Sequence, residues 1–153
     1  MYELTTALLY AIALTACFQR AAHNLYAAVI FVSFALMHDF IGPDLDGWAY
    51  YGSAAILDCI ALILLSGIRP VTKMVFHLEL ILLFSIIGNF LGWVMWVNYM
   101  APTTYDAGFV VLYLLALLAL LKGTSNVGDF TGSSWRSCFS GPIYKSLFSH
   151  NKQ

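Results

Sequence analysis

The sequence predicts an all-α fold, a polytopic membrane helix bundle of about five transmembrane helices. Hydrophobic residues make up 61% of the 153 residues and charged residues only 10%, whereas about 25% of the residues in a soluble domain are charged. The apolar residues form five continuous stretches without proline, and basic and acidic residues occupy alternate gaps between them. These observations exclude a soluble enzyme domain and favour a protein that crosses a bilayer several times.

The five apolar stretches have lengths that suit membrane helices. A bilayer core of about 30 Å requires roughly 20 helical residues, and the second, third and fourth stretches meet this requirement. The first and fifth are shorter, so we expect them to extend into their flanks or to thin the bilayer locally. Pro43, Pro70 and Pro102 lie in the gaps, where a residue that breaks helices belongs. The stretches are residues 4–18, 21–40, 48–67, 74–97 and 107–121.

The distribution of charge predicts the orientation of the bundle. All seven basic residues lie on one side of the predicted membrane, and the other side carries acidic residues only. Because cytoplasmic loops of membrane proteins are enriched in Lys and Arg, we predict that the N-terminus is outside and the C-terminus is cytoplasmic. The basic side carries Arg20, Arg69, Lys73, Lys122, Arg136, Lys145 and Lys152, and the acidic side carries Glu3, Asp39, Asp44, Asp46 and Asp106.

The chain divides into a bundle, residues 1–122, and a cytoplasmic tail, residues 123–153. The tail is rich in Ser and Gly but keeps large apolar side chains, so we expect it to lie along the headgroups or to dock on a partner rather than to be freely solvated. The chain starts with acidic rather than basic charge, unlike a secretory signal, and the first stretch is therefore expected to be retained. We expect the protein in a bacterial inner (cytoplasmic) membrane.

Aromatic residues cluster at the predicted outer ends of the third, fourth and fifth stretches. Trp48, Trp93 and Trp96 are predicted interfacial anchors, because amphipathic rings prefer the headgroup layer. Four tyrosines at the same level extend this predicted belt, and an aromatic ligand cage is the alternative interpretation. His38 and Asp39, at the outer end of the second stretch, are expected to form a solvated rim that weakly attracts cations. The tyrosines are Tyr50, Tyr51, Tyr99 and Tyr105.

Asp58 is the most unusual polar residue of the predicted spans. It lies near the middle of the third stretch, where a charged carboxylate costs about 2.5 to 3.5 kcal/mol. The carboxyl group must therefore be neutralised or partnered. Asn89 lies at a similar depth in the fourth stretch and is the predicted partner. Asp58 is then either a structural group that joins two helices or a site for protons or cations.

Two glycines in the fourth stretch predict a close helix contact. Gly88 and Gly92 are four residues apart and form a GxxxG motif, which creates a flat strip that lets helix backbones approach closely. Because Asn89 lies within this motif, we predict that the third and fourth spans pack tightly together. The sequence leaves open whether the strip pairs within one chain or between chains.

A second group of polar residues lies at the predicted cytoplasmic ends of the spans. Glu79 and His77 are in the first turns of the fourth span, and Arg20 and His23 lie at the junction of the first and second spans. A Glu79–Arg20 ion pair and a proton relay are the two interpretations considered. Haem binding by His23 and His77 has no support beyond similar depth, so we expect no cofactor.

The sequence contains no catalytic motif that points to an enzyme. A nucleophile with a base, a glycine-rich phosphate loop and a metalloprotease motif are all missing, and the three cysteines have no metal-binding spacing. A net charge of −1 also argues against binding of nucleic acid. No catalytic residue and no metal ligand are therefore predicted.

Three functions suit a small non-enzymatic integral membrane protein of this kind. The first, which is the predicted function, is an oligomerising protein that forms pores or lesions, similar in character to a holin; the other two are alternatives. The second is an accessory subunit of a larger membrane complex. The third is a proton- or cation-coupled carrier that uses Asp58. The expected partners are the lipid bilayer and either further copies of the chain or other membrane subunits.

Overall fold

A computed structural model describes residues 2–42 and 45–123 of the chain. Within these residues the fold is all-α and contains no strand, which confirms the all-α part of the predicted fold class. The predicted tail falls almost entirely on residues 124–153, which lie outside the described residues. The five helices are α1 (Tyr2–Ala16), α2 (Ala22–Ile41), α3 (Gly47–Ser66), α4 (Lys73–Val97) and α5 (Thr103–Gly123).

Four of the helices are long and apolar enough to cross a bilayer. The helices α2, α3, α4 and α5 have 20, 20, 25 and 21 residues, and 20 helical residues cover about 30 Å. The chain is therefore a membrane-embedded helix bundle. Helix α1 has 15 residues, which corresponds to about 22 Å.

Helices start earlier than the predicted apolar stretches where the first helical turn contains polar residues. Helix α5 begins at Thr103, four residues before the predicted start, and carries Asp106 in its first turn, where a negative charge complements the helix dipole. Helix α4 begins after Thr72, whose Oγ1 accepts a hydrogen bond from the Val75 N–H at 3.2 Å. A boundary drawn from hydropathy alone leaves such polar residues outside the predicted helix. The helix itself can extend beyond the apolar core of the bilayer.

The five helices pack as a closed ring in chain order. Each helix contacts its neighbours in sequence, α1 also contacts α5, and the most extensive contact joins α3 and α4. Short connections make sequential neighbours antiparallel, so α1 and α5 run parallel. The ring therefore has two ends that differ in charge. The acidic end carries Glu3, Asp39, Asp46 and Asp106, and the basic end carries Arg20, Arg69, Lys73 and Lys122.

The half of the ring towards the basic end is filled with apolar side chains. All five helices contribute to this core, and several of its large side chains, such as Ile12, Leu65 and Leu78, are fully buried. The members of this core are Ile12, Ala16, Ala27, Ala28, Phe31, Val32, Ala61, Leu65, Met74, Val75, Leu78, Ile81, Leu82, Ala116 and Leu120.

A network of polar side chains closes the basic end beneath this core. Gln19 Nε2 donates to the Leu120 carbonyl at 2.9 Å, and Asn24 Nδ2 donates to the Gly123 carbonyl at 3.0 Å. The Thr72 hydroxyl donates to Asn24 Oδ1 at 2.8 Å. Helix C-termini leave carbonyl groups without intrahelical partners, so these bonds satisfy the end of α5 and tie it to the α1–α2 connection and to the start of α4.

Candidate functional site

A cavity of about 160 Å³ lies in the half of the ring towards the acidic end. Every helix contributes a polar lining residue: Thr5 from α1, His38 from α2, Tyr50 from α3, Asn89 from α4 and Tyr105 from α5. Four of these five residues are close to the helix ends that form the acidic end. The cavity thus extends from this end into the ring.

The Asp58 side chain lies at the inner part of this cavity. Its Oδ2 accepts a hydrogen bond from the Ser85 hydroxyl at 2.6 Å and another from Asn89 Nδ2 at 3.1 Å. Asp58 is on α3 and both donors are on α4, so the structure brings together Asp58 and the partner predicted for it. Oδ1 accepts neither of these bonds.

A tyrosine of α5 orients the amide of Asn89. The Tyr105 hydroxyl donates to Asn89 Oδ1 at 2.9 Å, and this bond leaves Nδ2 to face Asp58. Asn89 is only 1% exposed, and a buried amide with both ends bonded is held rigidly. The result is a polar line from Tyr105 through Asn89 to Asp58 that joins α5, α4 and α3.

The charged residues that line the cavity are all acidic. Asp39, near the end of α2, and Asp106, in the first turn of α5, line it together with Asp58. Within the described part of the chain, no Lys or Arg lines it. A cleft with one sign of charge between low-dielectric walls concentrates counter-ions. The cavity is therefore electrostatically suited to cations.

Aromatic rings form part of the cavity wall. His38 and Tyr50 pack edge-to-face with ring centroids 4.9 Å apart, and Tyr51 packs edge-to-face on Tyr50 at 5.1 Å and on Tyr105 at 5.3 Å. The Tyr105 ring continues to Phe109 at 4.6 Å. Of the tyrosines predicted to form an interfacial belt, Tyr50 and Tyr105 instead line the cavity.

The sequence carries a signal for this wall that is independent of hydropathy. Tyr105, Phe109 and Tyr113 recur every four residues along α5, and residues with this spacing lie on one helix face. All three line the cavity. Composition and depth predict where an aromatic ring lies along the membrane, but only such spacing indicates which way it points.

The predicted interfacial anchors lie towards the outside of the ring. Trp48, Trp93 and Trp96 are 74%, 37% and 50% exposed, and none of them lines the cavity. Trp96 also lies against Gly47, where the nearest carbon of its ring would be 2.6 Å from an added Cβ. Their role as anchors in a headgroup layer stays a prediction.

The glycine strip of α4 receives aromatic rings rather than a neighbouring backbone. A Cβ added at Gly92 would lie 2.5 Å from the Tyr105 ring and 2.6 Å from the Tyr51 ring, and one at Gly88 would lie 3.3 Å from Phe109. The backbone approach expected from the GxxxG motif is thus not what occupies this strip. The glycines make room for the rings of Tyr105 and Phe109, which line the cavity, and for the ring of Tyr51, which packs on Tyr105.

The second predicted polar group does not join the cavity. Glu79 is fully buried on α4 but does not line the cavity, and His77 is exposed on the same helix, with its ring 6.2 Å from that of Phe76. Arg20 is exposed, and the Glu79–Arg20 ion pair and the proton relay both stay predictions. The Nε2 atom of His23 is buried without a hydrogen-bond partner among the described residues.

No protein-family model, curated protein or solved structure matches this chain. The function must therefore be inferred from the geometry and chemistry of the cavity.

Proposed function

We propose that this protein is a membrane carrier that binds a proton or another cation at Asp58 from the side of the membrane that the acidic end faces. The single observation that carries the proposal is the position of the Asp58 carboxyl group in a cavity that Asp39 and Asp106 also line. An ionisable residue at membrane depth is costly, and proteins use such residues in ion pathways and proton relays.

The proposed topology has five spans, an outer N-terminus and a cytoplasmic C-terminus in a bacterial inner membrane. Its support is the separation of charge, since acidic residues lie at one end of the ring and basic residues at the other. Helix α1 is short, but it contacts both α2 and α5 and so belongs to the ring. With this topology, the cavity faces the outside of the cell.

The difference between the two halves of the ring supports a carrier in an outward-facing conformation. A carrier exposes its site alternately to the two sides of the membrane. Here the acidic half contains a cavity, while the basic half is filled and closed by Gln19, Asn24 and Thr72. Release to the cytoplasm would require these hydrogen bonds to break, and they are the proposed inner gate.

The intrachain partners of Asp58 favour the carrier over the other two functions considered. If the protein were a pore-forming oligomer or an accessory subunit, we would expect a second chain to supply the hydrogen-bond donors to the Asp58 carboxyl group. Ser85 and Asn89 of the same chain already donate to Asp58. Pore formation and membership of a larger complex stay predictions without an observation of their own.

The test is cation flux in vesicles reconstituted with the full chain. Asp58→Asn keeps the size of the side chain and its ability to hydrogen-bond but prevents ionisation. We expect this variant to fold and to lose proton or cation flux, because the binding charge is missing. Asp46→Asn is the matched control, since Asp46 is exposed at the acidic end and does not line the cavity. Flux of Asp58→Asn at the wild-type rate would contradict the proposal.

A further inference from the structure

The size of the cavity indicates a ligand larger than a single ion. An apolar cavity of about 150 Å³ accommodates benzene, whereas one water occupies about 30 Å³ in the liquid. The cavity of about 160 Å³ therefore suits a molecule of roughly six to eight non-hydrogen atoms. A proton needs no such space, and a bare metal ion would leave most of it to water.

The aromatic residues of the cavity wall indicate which chemical class of ligand of this size the cavity prefers. Phe31 and Phe34 of α2 line the cavity together with the ring series of α5. Tyr51 packs edge-to-face on the Tyr105 ring at an interplanar angle of 89°. Aromatic faces attract ammonium groups through cation–π interactions, and several rings together form the cages that recognise organic ammonium ions.

The polar groups of the cavity complement an ammonium group. Asp58 Oδ2 accepts both hydrogen bonds from α4, so its Oδ1 is not used by either donor. His38 lines the cavity, and its buried Nε2 has no hydrogen-bond partner within residues 2–42 and 45–123. A carboxylate oxygen and a neutral imidazole nitrogen are both acceptors, and an ammonium group is a donor of several hydrogen bonds.

A divalent metal ion fits these groups less well. Ca²⁺ binds six to eight oxygen ligands, and Mg²⁺ requires a nearly ideal octahedron of them. In the part of the chain that the structure describes, no three His, Cys, Asp or Glu side chains meet as a potential metal site. The cavity instead combines one inner carboxylate with an apolar, aromatic wall.

From these observations we infer that the ligand is a small organic ammonium ion, whose nitrogen lies against Asp58 and whose apolar part lies against the aromatic wall. This inference rests on the proposed function, because it names the class of cation that the Asp58 site takes. The acidic residues Asp39 and Asp106 at the mouth attract such a ligand, and the absence of Lys and Arg from the described lining removes any competing positive charge.

The experiment is isothermal titration calorimetry of the purified full chain in detergent. Benzylamine, choline and tetramethylammonium are the charged probes, and benzyl alcohol is an uncharged molecule of the same size and shape as benzylamine. We expect saturable binding of at least one charged probe, at least tenfold weaker binding of benzyl alcohol than of benzylamine, and at least a tenfold loss in Asp58→Asn.

A pair of Phe→Leu variants tests the aromatic wall separately from the charge. Phe109 lines the cavity, whereas Phe90 is 59% exposed and lies outside it. Loss of a cation–π partner weakens binding by about 2- to 30-fold, so we expect that decrease for Phe109→Leu and no change for Phe90→Leu. Equal effects of the two substitutions would overturn the role of the wall.

The outcomes distinguish this inference from the proposed function. Equal affinities for benzylamine and benzyl alcohol, or no binding of any charged probe, would overturn the organic-ammonium ligand. If vesicles then still carry a proton or sodium flux that Asp58→Asn abolishes, the carrier stands and only its ligand class is wrong. If the proton or sodium flux is also missing, both the carrier function and the organic-ammonium ligand are wrong.

Discussion

The substitution Gly92→Ala tests whether the cavity wall depends on the glycine strip of α4. An added Cβ would lie 2.5 Å from two carbons of the Tyr105 ring and 2.6 Å from the Tyr51 ring, whereas ordinary contact begins at 3.4 Å. The two rings must therefore move by almost 1 Å, and overpacking of this kind costs about 1 to 3 kcal/mol. A displaced Tyr105 would also lose its hydrogen bond to Asn89.

Gly108→Ala is the matched control, because a Cβ at Gly108 meets no atom within 4 Å. Both variants make the same change within a helix, so the gain in helix propensity of about 1 kcal/mol cancels when they are compared. We expect Gly92→Ala to be less stable than Gly108→Ala by about 1 to 3 kcal/mol in reversible unfolding in detergent micelles. Equal stabilities would refute the packing of both rings against Gly92.

Three further predictions follow from the hydrogen bonds and the charges. Thr72→Ala removes the cap of α4, worth about 1 kcal/mol, and also takes the Thr72 hydroxyl donor from buried Asn24 Oδ1, which costs about 1 to 3 kcal/mol more. We therefore expect a loss of about 2 to 4 kcal/mol in the same unfolding assay and little effect of the exposed Thr104→Ala; similar values would count against both bonds. Tyr105→Phe should keep the fold but weaken cation binding, because it removes the hydrogen bond that orients the Asn89 amide. Tyr99→Phe changes a side chain that is 98% exposed, and this variant should bind cations normally. A reporter active only in the cytoplasm should give a signal after Lys152 and none after Asp46, and a signal at Asp46 would reverse the topology.

Hydropathy predicted the helices well because burial in a bilayer acts on whole segments. All five predicted stretches correspond to helices, with ends that differ by a few residues. The depth of a residue follows from its position along such a segment, which is how Asn89 could be named as the partner of Asp58. The two side chains are hydrogen-bonded in the structure.

The orientation of side chains around each helix could not be obtained in the same way. Tyr50 and Trp48 are two residues apart at the same membrane level, yet Tyr50 lines the cavity and Trp48 is 74% exposed. Every apolar face is compatible with lipid, so composition does not distinguish the inside of the ring from the outside. The closure of the ring, in which α1 contacts α5, decides which faces point inwards. It brings together residues about a hundred positions apart, such as Gln19, in the connection after α1, and Leu120 of α5.

The central claim is that a cation reaches Asp58 from the acidic end only, and cysteine labelling in sealed vesicles tests it most directly. The three native cysteines are first replaced by serine. Ala54→Cys then places a thiol in the cavity, and Ala61→Cys places one in the filled half, where Ala61 is fully buried. We predict that a membrane-impermeant thiosulfonate bearing an ammonium group, added from outside, labels only Ala54→Cys and that benzylamine slows this labelling. Labelling from the cytoplasmic side alone, or at a rate that benzylamine does not change, would contradict the claim.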